Sequence, residues 1–466
     1  MPSQPAASGA LIIKNGTRWS LVAAFAFIAV AGAFVYLEFF RDSWQPPQVV
    51  TIEGSKPVWS LFTSYPMWGS DAEEGASQAL LLRDGDYMLF SDFDVPVRYL
   101  ASDGPALKMT FNDWSASLGE TIIALSLDSE DGRKWFNSAS DAQLAELRIV
   151  AVPEDVDAGT LAALKRLAAT NPNVDLSVES GAALRHVLPL FEPRAVFAGE
   201  EEGATLELLA NQPQLEMLLI SASKPGSLDF LPTLPRLRRL FLGEWDIAQA
   251  GPLPAGLTGL KSLVVFESEA KDLSALSAAP AGLEELSLMI EGPNDMNLAG
   301  LDKFASLRTL ILWVDNDSAP LDLSSLAALE DLRWAGLPPE TSQEQFAAIV
   351  SAHPKLTILE MMMSENVKDL APLRGLKALQ GLVLGGAYEN LEVLQELTSL
   401  RFVGISKKTW EESPAQVAAV RKALPDAVVV RVSPFCLGSG WILLLVPVLG
   451  FAWLRRSSPR LVRQAA

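Results

Sequence analysis

Apolar residues recur along the second half of the chain in a short pattern with a regular period. A leucine is followed, after two variable residues, by an apolar residue and, after one more variable residue, by another. The steps between successive starts of this pattern are 22, 23, 23, 24, 22, 27, 23 and 21 residues. Such a period predicts a solenoid, because one unit cannot bury its apolar face without stacked neighbours. The nine starts are Leu215, Leu237, Leu260, Leu283, Leu307, Leu329, Leu356, Leu379 and Leu400.

The repeated pattern extends over residues 213–406 and is clearest in Leu237-Leu240-Leu242, whereas Leu329-Leu332-Trp334 is more degenerate. In these residues the chain resembles the leucine-rich repeat family. The resemblance implies an α/β solenoid with a parallel β-sheet on its concave face, and a function that lies on this repeated surface. The asparagine that follows the strand in the family pattern has no counterpart here, so we expect an incomplete polar ladder.

Weaker units continue the period at both ends of the clear repeats. Leu147-Val150-Val152 fits the pattern, and short apolar strands are predicted at 174–178 and 196–198. Apolar residues at helical spacing predict a helix over 160–173, and a second helix and strand are predicted over 415–424 and 428–430. The solenoid is therefore expected to span residues 141–433, with atypical units at its ends.

Residues 56–140 lack the leucine pattern and show hairpin signals instead. Asp84-Gly85 and Asp131-Gly132 each lie between apolar runs, and Asp-Gly in such a position favours a hairpin. We therefore expect a small β-rich domain over 56–140, preceded by a linker over 41–55.

Two apolar stretches flank these domains, at residues 19–40 and 436–454; the first carries no charge from Leu21 to Leu37, and the second carries none. Each approaches the length that a helix needs to cross about 30 Å of hydrocarbon. Basic residues precede the first stretch and four arginines follow the second, which places residues 1–18 and 455–466 in the cytoplasm and the central region outside. One alternative is a cleaved signal peptide in the first stretch, with Ala31-Gly32-Ala33 at the cleavage site. Another is a C-terminal sorting tail in the second.

The region between the two apolar stretches is strongly acidic. Residues 41–434 contain 31 basic and 55 acidic side chains, a formal charge of −24. Such a surface repels phosphate backbones, so nucleic acid is not an expected partner. Cys436 is the single cysteine, so no internal disulfide can form, although extracellular animal repeat proteins of this type often have disulfides in their caps. Together with the arginine-rich tail, this favours a bacterial cell envelope.

Side chains between the leucine anchors are expected on the exposed, concave face of the sheet, because strand side chains alternate between faces. Stacking then aligns them in columns about 4.8 Å apart. Two columns over four consecutive repeats are unusually apolar, which predicts an interaction site unless the β-rich domain covers them. Arg239, Glu285, Arg333 and Glu360 are predicted to form a polar rim. The predicted ligand-binding residues, named the concave patch, are Phe241, Val264, Phe266, Met289, Ile311 and Trp313.

The sequence contains little that indicates catalysis. His186 and His353 lie apart from any candidate nucleophile or ligand set, and His353 is expected to be structural. No phosphate-binding or dinucleotide loop is present, the acidic turn at 315–318 lacks the spacing of a calcium loop, and neither a cofactor nor a metal is predicted. We expect a non-catalytic, membrane-anchored protein that binds a protein or a cell-surface polymer. The alternatives are an envelope hydrolase with its active site in the β-rich domain, and a structural component of a membrane assembly.

Overall fold

A sheet of sixteen strands runs through the described residues of the computed structural model. These residues all belong to one unit, which covers 45–67 and 71–434. The structure describes residues 49–52, 59–62, 77–80, 82–83, 88–91, 97–98, 109–112, 115–118, 120–178, 180–198, 203–210, 212–221, 227–243, 251–268, 272–291, 296–315, 321–361 and 364–432.

The predicted membrane spans at 19–40 and 436–454 lie outside the described residues, as do the termini at 1–18 and 455–466. Across the described ranges, no helix combines the length and the apolar character needed to span a bilayer.

Six short strands form two small antiparallel sheets of three strands, ordered β1-β2-β4 and β3-β5-β6. Strands β3 and β5 pair on either side of Asp84-Gly85, which confirms the hairpin predicted there. The strands are β1 Val49–Ile52, β2 Trp59–Phe62, β3 Ser77–Leu80, β4 Leu82–Arg83, β5 Met88–Ser91 and β6 Val97–Arg98.

The large sheet opens with two antiparallel pairings, β7 with β8 and β8 with β9, and every later strand pairs in parallel with its predecessor. One strand per repeat is the arrangement that the leucine spacing predicts. The strands are β7 Met109–Asn112, β8 Ser115–Leu118, β9 Thr121–Ser126, β10 Ile149–Val152, β11 Asp175–Val178, β12 Ala195–Ala198, β13 Met217–Ser221, β14 Arg239–Gly243, β15 Ser262–Ser268, β16 Glu285–Glu291, β17 Thr309–Asp315, β18 Trp334–Gly336, β19 Ile358–Met361, β20 Gly381–Leu384, β21 Phe402–Ser406 and β22 Val428–Val432.

Helical segments connect successive strands of the stack. The predicted helices over 160–173 and 415–424 are confirmed, as are the strands predicted at 174–178, 196–198 and 428–430. The α-helices are α1 Glu130–Ser138, α2 Asp141–Ala145, α3 Ala158–Thr170, α4 Gly181–Val187, α5 Gln343–Ala352, α6 Lys407–Glu412 and α7 Pro414–Ala423. The 3-10 helices are Gly203–Leu209, Leu231–Thr233, Leu273–Leu276, Leu301–Lys303, Ser324–Ala328, Ala371–Gly375 and Leu391–Glu396.

One hydrophobic core runs along the whole stack, from Leu125 to Val429. The leucine anchors build it: Leu240 and Leu242 of β14 are buried, while the residues on either side of them are partly exposed. The same alternation places the anchors of each repeat beneath the sheet. The core is therefore formed by stacking, as a repeat architecture requires.

The hairpin predicted around Asp131-Gly132 is wrong. These residues lie in the first turns of α1, whose amide at Arg133 bonds to the carbonyl of Ser129. Gly132 allows α1 to pack closely on β9, because a Cβ at this position would collide with the backbone oxygen of Ser126. The parallel stack therefore begins with β9, inside the range 56–140 assigned to the β-rich domain.

Candidate functional site

The concave face of the sheet has two neighbouring rows of side chains, defined by the pairing register. The first row, named row A, holds Met217, Arg239, Ser262, Glu285, Thr309, Trp334, Ile358, Gly381, Phe402 and Val428. The second, row B, lies two residues further along each strand and holds Leu219, Phe241, Val264, Ser287, Ile311, Gly336, Glu360, Val383, Gly404 and Val430.

The structure aligns the six residues of the predicted concave patch. Phe241, Val264 and Ile311 lie in row B, and Phe266, Met289 and Trp313 are aligned with one another two residues beyond row B on β15, β16 and β17. The side chains of Phe241, Ile311 and Trp313 are partly exposed, and Val264 is buried. The side chains of Phe266 and Met289 lie outside the described part of the structure.

The predicted register of one repeat is wrong. Leu310 pairs with Ala335 and Ile311 with Gly336, so Trp334 belongs to row A and is not a leucine-type anchor. Leu329 misled the assignment because it, like Leu332, is completely buried in the core.

The hydrogen bonds at the start of β18 show the same shift in register. The Arg333 amide donates to the Arg308 carbonyl at 2.8 Å, as the Arg308 amide does to Glu284. Arg333 therefore sits where the strand begins, and its guanidinium donates to the carbonyl of Lys355 at 3.4 Å. It does not lie in either concave row, and its assignment to the polar rim is corrected accordingly.

Glu360 is also not a rim residue. It lies in row B, and only 7% of its surface is exposed. Trp334, in row A of the neighbouring strand, is fully buried and its Nε1 donates to Oε1 of Glu360 at 3.1 Å. Burial raises the pKa of the Glu360 carboxyl to about 7, against the opposing effect of the indole hydrogen bond. Arg239 and Glu285 remain partly exposed in row A.

The concave face is thus partly open over β14–β17 and enclosed over β18–β20. Ile358 and Val383 are 2% and 3% exposed, whereas Phe241 and Ile311 retain contact with solvent. Thr309 in row A is also fully buried, and its Oγ1 is without a hydrogen-bond partner among the described residues. Apolar and polar groups therefore share this face, and polar residues lie on both its partly open part and its enclosed part.

A polar ladder that the leucine pattern did not predict runs along the turns that precede the 3-10 helices. In each, a short polar side chain accepts a hydrogen bond from the backbone amide two residues ahead, at 2.7–3.1 Å. Hydrogen bonds from Ser274 and Ser324 lower the pKa of Asp272 and Asp322, respectively. The signal is a polar residue before a Leu-x-x-Leu segment, and its members are Ser227, Asp272, Asn297, Asp322 and Asp369.

The described residues include two groups that the sequence raised as candidates for chemistry, the acidic side chains and His353. Within the described ranges, no three His, Cys, Asp or Glu side chains converge as metal ligands. His353, 1% exposed at the end of α5, lies in the core as an imidazole whose pKa is lowered by burial, an effect that the Leu326 backbone only partly offsets. These observations assign no reaction to the chain.

The repeat period, the inward leucines and the single parallel strand in each repeat together define a leucine-rich repeat solenoid. Solved structures with similarity to the chain include leucine-rich repeat proteins. An internalin from Listeria monocytogenes is 16% identical, with a TM-score of 0.38, and the match covers 66% of this chain and 89% of the internalin. A leucine-rich repeat protein from Leptospira interrogans is 13% identical, with a TM-score of 0.29, and the match covers 66% of this chain and 99% of that protein.

A third match is to the Toll–Spatzle complex of Drosophila, at 10% identity and a TM-score of 0.36, over 76% of this chain and 47% of that chain. No family model matches the sequence, and no curated protein matches it. The fold is identified from the repeat geometry and not from these structural matches.

Proposed function

We propose that this chain is a membrane-anchored, extracytoplasmic leucine-rich repeat protein that binds a protein ligand through its concave face and has no catalytic activity. The observation that carries the proposal is the alignment of the concave patch across β14–β17. Aromatic and aliphatic side chains gathered on one open face are typical of the centre of an interface. A cell-surface polymer is the second class of ligand that such a face accommodates.

The anchoring part of the proposal depends on the two apolar stretches at 19–40 and 436–454 and on the basic residues beside them. The acidic charge of −24 over residues 41–434 supports an exposed, soluble central region.

The binding part is tested by charging the patch. In the full chain, Phe241→Asp combined with Trp313→Asp places two carboxylates on the open face without altering the leucine anchors. We expect at least a tenfold loss of ligand capture from envelope extract, since a desolvated charge in an interface costs several kcal/mol. The thermal unfolding midpoint, measured by circular dichroism, should change little.

A matched control is Leu208→Asp, which introduces the same charge at an exposed leucine in the 3-10 helix Gly203–Leu209, away from the patch. Capture by this variant should equal that of the unaltered chain. If the double variant captures ligand as well as the control does, the patch is not the binding site.

A further inference from the structure

Glu360 stands apart from the other acidic residues because of its place in the sheet. It is the acid of row B, with Gly336 and Val383 at the same level on the two adjacent strands. Within the described residues, the nearest charged side chain in either concave row is Glu285, on the third strand along from β19. A carboxyl with no cation beside it and little contact with water is unusual, since buried charges are ordinarily paired.

The carboxyl is only half satisfied. Oε1 accepts the 3.1 Å hydrogen bond from the Trp334 indole, and Oε2 accepts none from the described residues. Ile358 and Val383, which flank it, are apolar and buried. The enclosed end of the concave face thus holds one carboxylate oxygen without a hydrogen-bond partner among the described residues.

The chemistry of this arrangement favours a cation, and an ammonium over a guanidinium. A guanidinium pairs best when it bonds to both oxygens of a carboxylate, and here the indole already occupies Oε1. An ammonium is a compact charge that can pair with a single carboxylate oxygen. The net charge of −19 on the whole chain attracts a cationic partner.

We propose that Glu360, held by Trp334, is the centre of a subsite on the concave face that takes the ammonium group of a lysine side chain from the protein partner. This inference rests on the proposed function, because it assigns part of the partner's chemistry to the same face. The subsite lies beyond the concave patch, at the level of β18–β20, and extends the binding surface toward the C-terminal repeats.

The subsite also makes binding depend on pH. The Glu360 carboxyl, with its pKa of about 7, is largely protonated below neutral pH, and only the ionised form attracts an ammonium. Affinity for the cation should therefore rise as pH increases through 7 and fall on acidification. No other titratable group of the described residues faces Glu360 from β17, β18 or β20.

The test follows the Glu360 carboxyl directly in the full chain, by infrared difference spectroscopy of protonated carboxyl groups over a pH series. Butylammonium chloride is the probe, and sodium chloride at equal concentration is the reference. We expect butylammonium to lower the titration midpoint by about one pH unit, the size of effect that an adjacent opposite charge has on a carboxyl. Ethylguanidinium chloride should lower it by less than half as much.

Three variants test whether the infrared signal comes from Glu360. Glu360→Gln should remove the band and the effect of butylammonium, whereas Glu392→Gln, an equivalent change at an exposed position of the 3-10 helix Leu391–Glu396, should preserve both. Trp334→Phe removes the indole donor and should raise the midpoint above that of the unaltered chain, because the hydrogen bond lowers the pKa.

A midpoint that does not differ between butylammonium and sodium, or an equal effect of ethylguanidinium, would overturn the subsite. Its failure is distinct from failure of the proposed function. If the Phe241→Asp, Trp313→Asp variant still loses capture while butylammonium has no effect, the concave face binds a ligand without a lysine at Glu360.

Discussion

At the scale of single residues, His353 occupies a position that most other repeats fill with a buried apolar side chain. Its carbonyl accepts from the amide of Leu356 three residues ahead, as Phe304 does from Leu307 and Leu329 does from Leu332. Gln212 is the other polar residue with this hydrogen bond, but it is partly exposed, whereas His353 is buried. The buried apolar counterparts are Leu234, Leu257, Phe304, Leu329, Leu376 and Leu397.

We predict that His353→Leu stabilises the protein. Neither ring nitrogen has a hydrogen-bond partner of good geometry among the described residues, and a buried unsatisfied polar group costs roughly 1–3 kcal/mol. The free energy of unfolding at neutral pH should therefore rise by about 1 kcal/mol, measured by urea denaturation.

The gain in free energy of unfolding from His353→Leu should be larger in mild acid than at neutral pH. Because burial lowers the pKa of His353 below 6.5, the unfolded chain binds the proton more readily, and stability falls as pH decreases from 6.5 toward the folded-state value. His186→Leu, at an exposed position, is the matched control and should show no such pH-dependent gain. A gain that is constant across this pH range would contradict the prediction.

At the scale of elements, the C-terminal repeats are joined through the backbone of Gly386, just after β20. Its carbonyl accepts from Ser406 Oγ at 2.7 Å and from Thr409 Oγ1 at 2.8 Å, which connects β20 to the end of β21 and to α6. Its amide donates to the Tyr388 hydroxyl at 3.2 Å. The backbone of one residue therefore links three elements of the C-terminal end.

Gly386→Ala should destabilise the protein by about 1–3 kcal/mol, the usual cost of forcing an extra carbon into a packed site. The added Cβ would collide with the backbone oxygen of Ser364, which has no side-chain freedom with which to move away. Gly375→Ala is the control, because no atom lies within 4 Å of a Cβ there. Chemical denaturation of both variants measures the difference, and equal stability would refute the role of this contact.

The sequence predicted these elements correctly where a residue pattern is compatible with a single structure, and it failed where the pattern fits two. A leucine anchor in a strand and the leucine three residues before it are both buried, so the spacing alone did not distinguish Leu329 from Leu332. Asp131-Gly132 likewise has two meanings, a turn or the acidic start of a helix that packs closely on a strand. The alignment of the concave patch was predictable because its four repeats keep one register. The burial of Glu360 was not predictable, because strand alternation gives the face on which a side chain lies but not how far that face is exposed to solvent.

At the scale of the whole molecule, charge and hydropathy together predict how the chain is oriented in the membrane. Basic residues flank both apolar stretches, and the region between them carries a formal charge of −24. Protease added outside intact cells should therefore digest the region 41–434 and leave both terminal segments protected, as detected with terminal epitope tags. Permeabilised cells are the control. Protection of the central region in intact cells would reject the proposed membrane orientation.

The parallel register of β13 to β17 also bears on how such a molecule changes over evolutionary time. Each repeat meets its neighbours through equivalent pairs, so duplication of one whole repeat inserts a new layer without disturbing the contacts on either side. The ligand footprint would lengthen by one strand spacing, about 4.8 Å, at every such event. Descendants of this gene can therefore fit larger or smaller partners by gaining or losing layers, while the chemistry of each remaining layer stays the same.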